Sequence, residues 1–255
     1  MKIGNRDFAP KLWAVALFLA VASCMVWLGS WQLQRAALKV SLQQATERSM
    51  QASATPIAEL NNIPMAAAEY RRVSISGAYD PDRQFLWDNR TYKGRAGYEV
   101  ISLLALEDER VALVNRGWIA LGASRSELPE VAFPQQALTA TVTLEGFLST
   151  PSKGFASGAA VENSQNWPKR LQYFDYAAIS EAIGKPVVPA VVQAQALSAD
   201  ASGAFVLTSR PEWLTPNWQP AASGPAKHYS YAFQWFAMAV GLTGIFIAVN
   251  AKKRR

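Results

Sequence analysis

The stretch that decides the fold is residues 227–255, KHYSYAFQWFAMAVGLTGIFIAVNAKKRR. It opens on His228, the only histidine in the chain, runs into an apolar segment at residues 232–249, and ends on four consecutive basic residues. No charge interrupts the apolar segment, and its length is close to the roughly 20 residues a helix needs to cross a bilayer. A second segment of the same kind, LWAVALFLAVASCMVWLG, occupies residues 12–29. A core helix of this length in a soluble protein would show a polar face. Both segments therefore read as transmembrane helices.

Charge supports that reading. Lys2, Arg6, Asp7 and Lys11 precede the first segment, and Lys252, Lys253, Arg254 and Arg255 follow the second. These flanks account for the whole formal net charge of +6, and the acidic and basic residues between them cancel. The high pI is thus an orientation signal, not a nucleic-acid footprint. Short basic flanks stay on the cytoplasmic side. Both termini are expected in the cytoplasm and the middle of the chain outside it.

A cleaved signal peptide has a shorter apolar core and a small-x-small site. VASC at residues 21–24 resembles a lipoprotein cleavage site, but apolar residues continue through Met25, Val26, Trp27 and Leu28. Cys24 therefore reads as a small apolar residue inside a helix. One cysteine permits no intramolecular disulfide, so cysteine usage does not report the outer compartment. The N-terminus lacks a long Ser- and Arg-rich presequence, which points to a bacterial inner membrane with a periplasmic middle domain.

The expected organisation is a membrane-anchored α+β chain, with two transmembrane helices flanking a small mainly-β extracytoplasmic domain. Residues 1–11 form the cytoplasmic N-terminus, 12–31 the first span, 32–227 the periplasmic domain, 228–250 the second span and 251–255 a basic tail. Residues 31–51 lack Gly and Pro and continue the first helix out of the membrane. An irregular linker with two prolines covers 52–70. Strands are predicted in YRRVSISGAYD, QFLWDNR, YEVISLLAL, VALVNRGWIA, ALTATVTLEGFLST and PVVPAVVQAQAL. DPDR at 80–83 predicts a type I turn, TYKGRAG a glycine loop, and 151–170 a long surface loop. LQYFDYAAISEAIG predicts a helix stopped by Gly184 and Pro186. A Pro-rich return to the membrane covers residues 209–228.

Catalytic chemistry finds little here. DPD and EDE are solvated turns, and no nucleophile elbow, P-loop or dinucleotide fingerprint is present. One histidine and one cysteine leave almost no way to build a zinc or multi-histidine copper site within one chain. No enzyme activity is expected, and no nucleic-acid partner. A single imidazole can still serve haem, because the porphyrin supplies four nitrogens and the protein need add only an axial histidine. If the helix already includes His228, Trp235 lies nearly the same way round with Tyr231 flanking, and Lys227 could meet a propionate. The competing reading is an interfacial belt, since Tyr, Trp and His collect at that depth whatever the function. On these residues alone the belt is the stronger of the two.

The second span carries another pattern. Ser230, Gln234, Ala237, Gly241, Gly244 and Ala248 recur on one face, about a third of a turn from His228. Small residues let helices approach closely, and a polar one can hydrogen-bond across the contact. The partner is either the first span or another membrane protein.

Taken in order, LGSWQLQRAALK, YRRVSISGAYD, RTYKGRAGYEVISLL, VALVNRGWIA, ENSQNWPKRLQYFD and HYSYAFQWF resemble the surfeit locus protein one family of cytochrome c oxidase assembly factors. The resemblance covers nearly the whole chain. It departs from the family pattern at Pro225, Ala226 and Lys227, where Asn-rich residues are expected, and at Leu103 and Leu104, where a proline is expected. It implies a two-span membrane protein that helps build haem-copper oxidases, binding haem a and aiding its delivery to the catalytic subunit. The haem iron would fall to His228, with Tyr231 and Trp235 shielding the macrocycle. The partner would be the oxidase catalytic subunit or, as an alternative, haem a synthase. The alternative is a scaffold that stabilises an assembly intermediate without touching haem. Asn115, Arg116, Gly117 and Trp118 match a family string and read as structural: a strand end, a turn and an anchoring aromatic.

Overall fold

The computed structural model describes residues 2–3, 6–60, 63–122, 127–129, 131, 141–153, 158–194, 215, 218 and 224–253. Most of the Pro-rich return, the start of the ALTATVTLEGFLST segment and the last two arginines lie outside the described residues. In chain order the elements are β1 (Lys2–Ile3), β2 (Arg6–Phe8), α1 (Leu12–Gln51), β3 (Thr55–Pro56), β4 (Arg72–Tyr92), β5 (Arg95–Ala105), β6 (Val111–Ala120), β7 (Val142–Ser149), β8 (Lys169–Leu171), α2 (Tyr176–Ile183), β9 (Val187–Ala194), α3 (Ala226–Asn250) and β10 (Ala251–Lys253). Two compact units result. One joins residues 1–45 and 221–255, and the other covers 46–220.

The first unit is a helical hairpin. α1 is unbroken over 40 residues, so the chain leaves the apolar segment without a kink. Nothing in residues 12–51 carries the Gly–Ser pair or proline that would bend it sharply, apart from Gly29–Ser30, where Ser30 Oγ donates to the Val26 carbonyl at 2.9 Å. α3 is 25 residues long. Both helices are long and apolar enough to cross a membrane. Shielded positions recur along α1 at Phe18, Ala22, Met25, Gly29, Gln32 and Ala36, and along α3 at His228, Ala232, Trp235, Ala239, Leu242 and Phe246. Each set alternates steps of four and three, the seam of two helices that run side by side. Long side chains make the contact. Phe18 stacks on Phe246 with ring centroids 4.3 Å apart. A Cβ on Gly29 would lie 2.8 Å from the Phe236 ring, so glycine is what admits that ring.

The second unit is built on a sheet that closes. Neighbours run β4–β5–β6–β9–β7, and β7 pairs back with β4, giving a five-stranded barrel. All five strands supply one buried cluster that includes Val73, Ile75, Leu104, Val114, Leu144, Leu148 and Val192. Closure leaves few edges to cover. On the opposite faces of the same strands, Phe85, Ile101, Leu113 and Val191 pack with Ile179 and Ile183 of α2 and with Leu171 of β8. The alternation of side chains along a strand makes these two clusters possible at once.

Several local expectations are revised. DPDR does not end a strand: β4 runs through it, with the pairing register shifted between Tyr79 and Gln84. The Asp80 carboxylate accepts from the backbone N–H of Asp82 and Arg83 at 3.1 and 3.0 Å, which holds a bend inside the strand. TYKGRAG is a tight hairpin. Lys93 and Gly94 both have positive φ, 47° and 76°, the pair a two-residue mirror-image turn requires. The predicted helix is shorter than its sequence window. Leu171 belongs to β8, and α2 starts only after Asp175, whose carboxylate accepts from Ala177 N and Ala178 N. Gly184 ends it in the left-handed conformation. The long loop thus carries a strand at its far end, pairing parallel with residues 85–87. Pro189 falls inside β9, where its register against β6 is irregular, so no ladder bond is lost there.

Asn115 to Trp118 lie within β6, not at its end. Gly117 pairs with Val100 and Asn115 with Ile101, so Arg116 is the extra residue of a β-bulge. Gly117 takes φ 134°, which favours glycine. The bulge places Arg116 in the interior at 1% exposure, where its Nη1 donates to Gln84 Oε1 at 3.2 Å. Ser102 Oγ donates to the same oxygen, and Gln84 Nε2 donates to the Val131 carbonyl. On the other side Asn115 Nδ2 donates to Glu99 Oε2 at 2.6 Å, and Arg90 Nε pairs with Glu99 Oε1 at 3.0 Å. Trp118 Nε1 donates to the Arg90 carbonyl, which is the anchoring role its sequence suggests.

Candidate functional site

The candidate site lies in the helical hairpin, around the start of α3. That helix begins at Ala226, two residues earlier than the expected span, so His228 sits in its first turn, with its N–H donating to the Pro225 carbonyl at 2.9 Å. The imidazole is half-buried. Its Nδ1 is 2.8 Å from Oε1 of Gln32 on α1, a contact between residues 196 positions apart in the chain. Gln32 was not among the residues expected at this site. No local pattern could have found it, because the pairing exists only once the two helices fold back on each other.

Trp235 shares the shielded side of α3 with His228 and is half-buried, as the seven-residue spacing requires. Tyr231 is 50% exposed and Lys227 is exposed. The site thus offers one imidazole, one partly shielded indole and two open phenols, Tyr229 and Tyr231, within two turns. On α1, next to Gln32, the Arg35 guanidinium lies 5.5 Å from the Trp31 ring centroid, so a cation and an aromatic face stand there too.

The donor set fits haem better than a bare metal ion. Among the described residues no group of three or more His, Cys, Asp or Glu is assembled. A metal ion alone would need several such ligands, whereas a metal that arrives with its own four nitrogens needs one.

The small-residue stripe is also placed. Gln234, Ala237, Gly241 and Gly244 are all exposed, as are Ser230 and Ala248. A Cβ built on Gly241 or Gly244 meets nothing within 4 Å. The contact with α1 uses a different face of α3, through Ala232, Phe236, Ala239 and Phe246. Of the two partners considered for the stripe, the first span does not occupy it.

Comparison with known proteins bears on the whole chain. A family described as the SURF1 family matches residues 19–240. The chain belongs to the SURF1 family. This is the family its strings resemble, and the match takes in most of α1, the barrel and most of α3. A SURF1-like protein of Monosiga brevicollis is 26% identical over 94% of this chain and 87% of its own length. An uncharacterized SURF1-like protein of Mycobacterium tuberculosis is 27% identical over 53% of this chain and 52% of its own. The cytochrome oxidase assembly protein SHY1 of Saccharomyces cerevisiae is 26% identical over 52% of this chain and 35% of its own. The chain therefore spans most of the first relative and about half or less of the other two.

Proposed function

We propose that this SURF1-family chain is an assembly factor for haem-copper cytochrome oxidase that holds haem a in transit to the catalytic subunit. Family membership and the yeast relative named as an oxidase assembly protein support the assembly role. The observation that carries the haem reading is the position of the lone imidazole. It stands in the first turn of an apolar helix, half-buried, held by a neutral side chain and sharing its face with Trp235. Haem would bring most of its iron's ligands with it and would need one side chain from the protein. His228 would hold the iron. Trp235 and Tyr231 would cover the macrocycle and keep water from it, and Lys227 would meet a propionate. One protein ligand suits a carrier, because a carrier must let its cargo go.

In this reading the chain sits in a bacterial inner membrane with both termini cytoplasmic and the barrel in the periplasm. The basic flanks support that orientation. The partners are the oxidase catalytic subunit and haem a synthase.

The test is the visible spectrum of the protein purified from cells that make haem a. A haem spectrum is expected from the wild type and none from His228→Ala. Equal haem occupancy and an identical spectrum in His228→Ala would remove the ligand assignment. The exposed stripe favours a second reading, a scaffold that holds an oxidase intermediate through that face without binding haem. It predicts that Gly241→Leu abolishes oxidase activity while no haem ever co-purifies.

A further inference from the structure

We propose that Gln32 is a positioning residue. Its amide oxygen holds the proton of His228 on Nδ1 and leaves Nε2 as the ring nitrogen with a bare lone pair. The inference deepens the haem reading above and rests on it for its purpose, but the tautomer can be read without haem.

The geometry is specific. Nδ1 lies 2.8 Å from Oε1, ordinary hydrogen-bond distance, and an amide oxygen cannot donate. With the amide oxygen facing the ring in this way, the proton belongs on Nδ1. A neutral imidazole has one N–H, so the opposite nitrogen carries the lone pair. Which nitrogen of a histidine can bind a metal is set by the bond the other one makes. Were the proton on Nε2 instead, that nitrogen could not ligate. Free imidazole side chains in water favour the Nε2–H form, so Gln32 reverses the intrinsic preference.

Placement reinforces chemistry. Gln32 is on the shielded seam of α1, four residues before the buried Ala36 and three after Gly29, where the helix is continuous. Its backbone is therefore fixed, and the ring it grips is fixed with it. A histidine that binds a metal commonly donates its other N–H to a carboxylate or a carbonyl, which raises its basicity. A carboxylate would do so more strongly, since bonds to charged acceptors are about twice as strong. A neutral amide makes the weaker bond, consistent with a ligand that must be released. The same bond is one of the contacts that tie α1 to α3, beside the Phe18–Phe246 stack and the Gly29–Phe236 approach.

One histidine in 255 residues makes the test unambiguous. Full-length protein labelled with nitrogen-15 histidine, in detergent micelles and without haem, gives the two ring-nitrogen signals of His228 alone. In the wild type the proton is expected on Nδ1, with Nε2 at the shift of an unprotonated ring nitrogen. Gln32→Leu is expected to move the proton to Nε2, and Gln32→Glu to restore it to Nδ1. A wild-type spectrum with the proton on Nε2 would overturn the proposal, even if the variants fail to fold. So would an unchanged spectrum in folded Gln32→Leu. With haem, Gln32→Leu is expected to lose about 10–100-fold in affinity. If no variant binds haem, the carrier reading falls while the nitrogen signals still decide the role of Gln32.

Discussion

Among the described residues Arg116 is one of the largest fully buried side chains, and it owes its place to one backbone irregularity. A glycine at position 117 with φ 134° admits the bulge, and the bulge turns the guanidinium toward Gln84 and Ser102. Gly117→Ala would force a side chain into a conformation costing roughly 1–3 kcal/mol. Equilibrium denaturation of the full chain should show that loss. Arg116→Ala should cost about 2–4 kcal/mol, from the emptied volume and the lost hydrogen bond to Gln84 Oε1, which Ser102 alone then serves.

Two tyrosines carry a pH signature. Burial pushes the Tyr79 phenol well above its ordinary range, and the nearby Arg116 pulls it only part of the way back. Tyr176 is pushed up to about 12, first by burial and then by the Glu69 carboxylate. A phenol whose folded pKa exceeds its unfolded one near 10 stabilises the fold while it stays protonated. That contribution is complete below about pH 10 and is lost as pH rises toward about 12. Unfolding free energy should therefore fall across that interval, and Tyr176→Phe should flatten the slope. A slope unchanged in the variant would contradict the assignment.

At the scale of elements, the hairpin and the stripe make opposite demands on glycine. Gly29→Leu must displace the Phe236 ring and should cost about 1–3 kcal/mol by overpacking, seen as a lower melting temperature in detergent. Gly241→Leu meets open space and should change stability by no more than about 0.5 kcal/mol. If Gly241→Leu nevertheless impairs oxidase assembly, the stripe is covered by another protein. The same scale shows what the sequence made legible. The two long helices, the run of strands and the helix ended by Gly184 follow from apolar runs, alternation and a C-cap glycine. Lys93–Gly94 shows its turn because φ is positive at both residues. DPDR misleads because Asp80 satisfies the bend locally while the strand's ladder carries on beyond it. Asn115–Trp118 misleads in the same way, since a glycine in a strand marks a bulge as readily as an end. β8 has three residues and pairs in parallel with a strand some 80 residues earlier, so nothing near it signals a strand. The His228–Gln32 pair is the extreme case. His228 stands out as the lone histidine, but Gln32 carries no local signal, and their contact joins residues 196 positions apart.

For the whole molecule, the order helix, mainly-β middle, helix is legible in the sequence, from two uncharged segments, basic flanks outside both and β-rich runs between them, whereas closure of the sheet through the β4–β7 pairing is not. Function depends on which side of the bilayer that middle occupies. In the proposed reading, a middle segment outside the cytoplasm would bring the start of α3, with His228, to the outer side of the membrane, and oxidase partners would be met from there. The decisive measurement is a pair of reporter fusions in the full chain, one inserted at Ser152 in the barrel unit and one after Arg255, each read with an enzyme active only in the periplasm. The account predicts activity from the Ser152 insertion and none from the C-terminal fusion. Activity from the C-terminal fusion with a silent Ser152 insertion would contradict it, and would take the proposed haem site to the wrong face of the membrane.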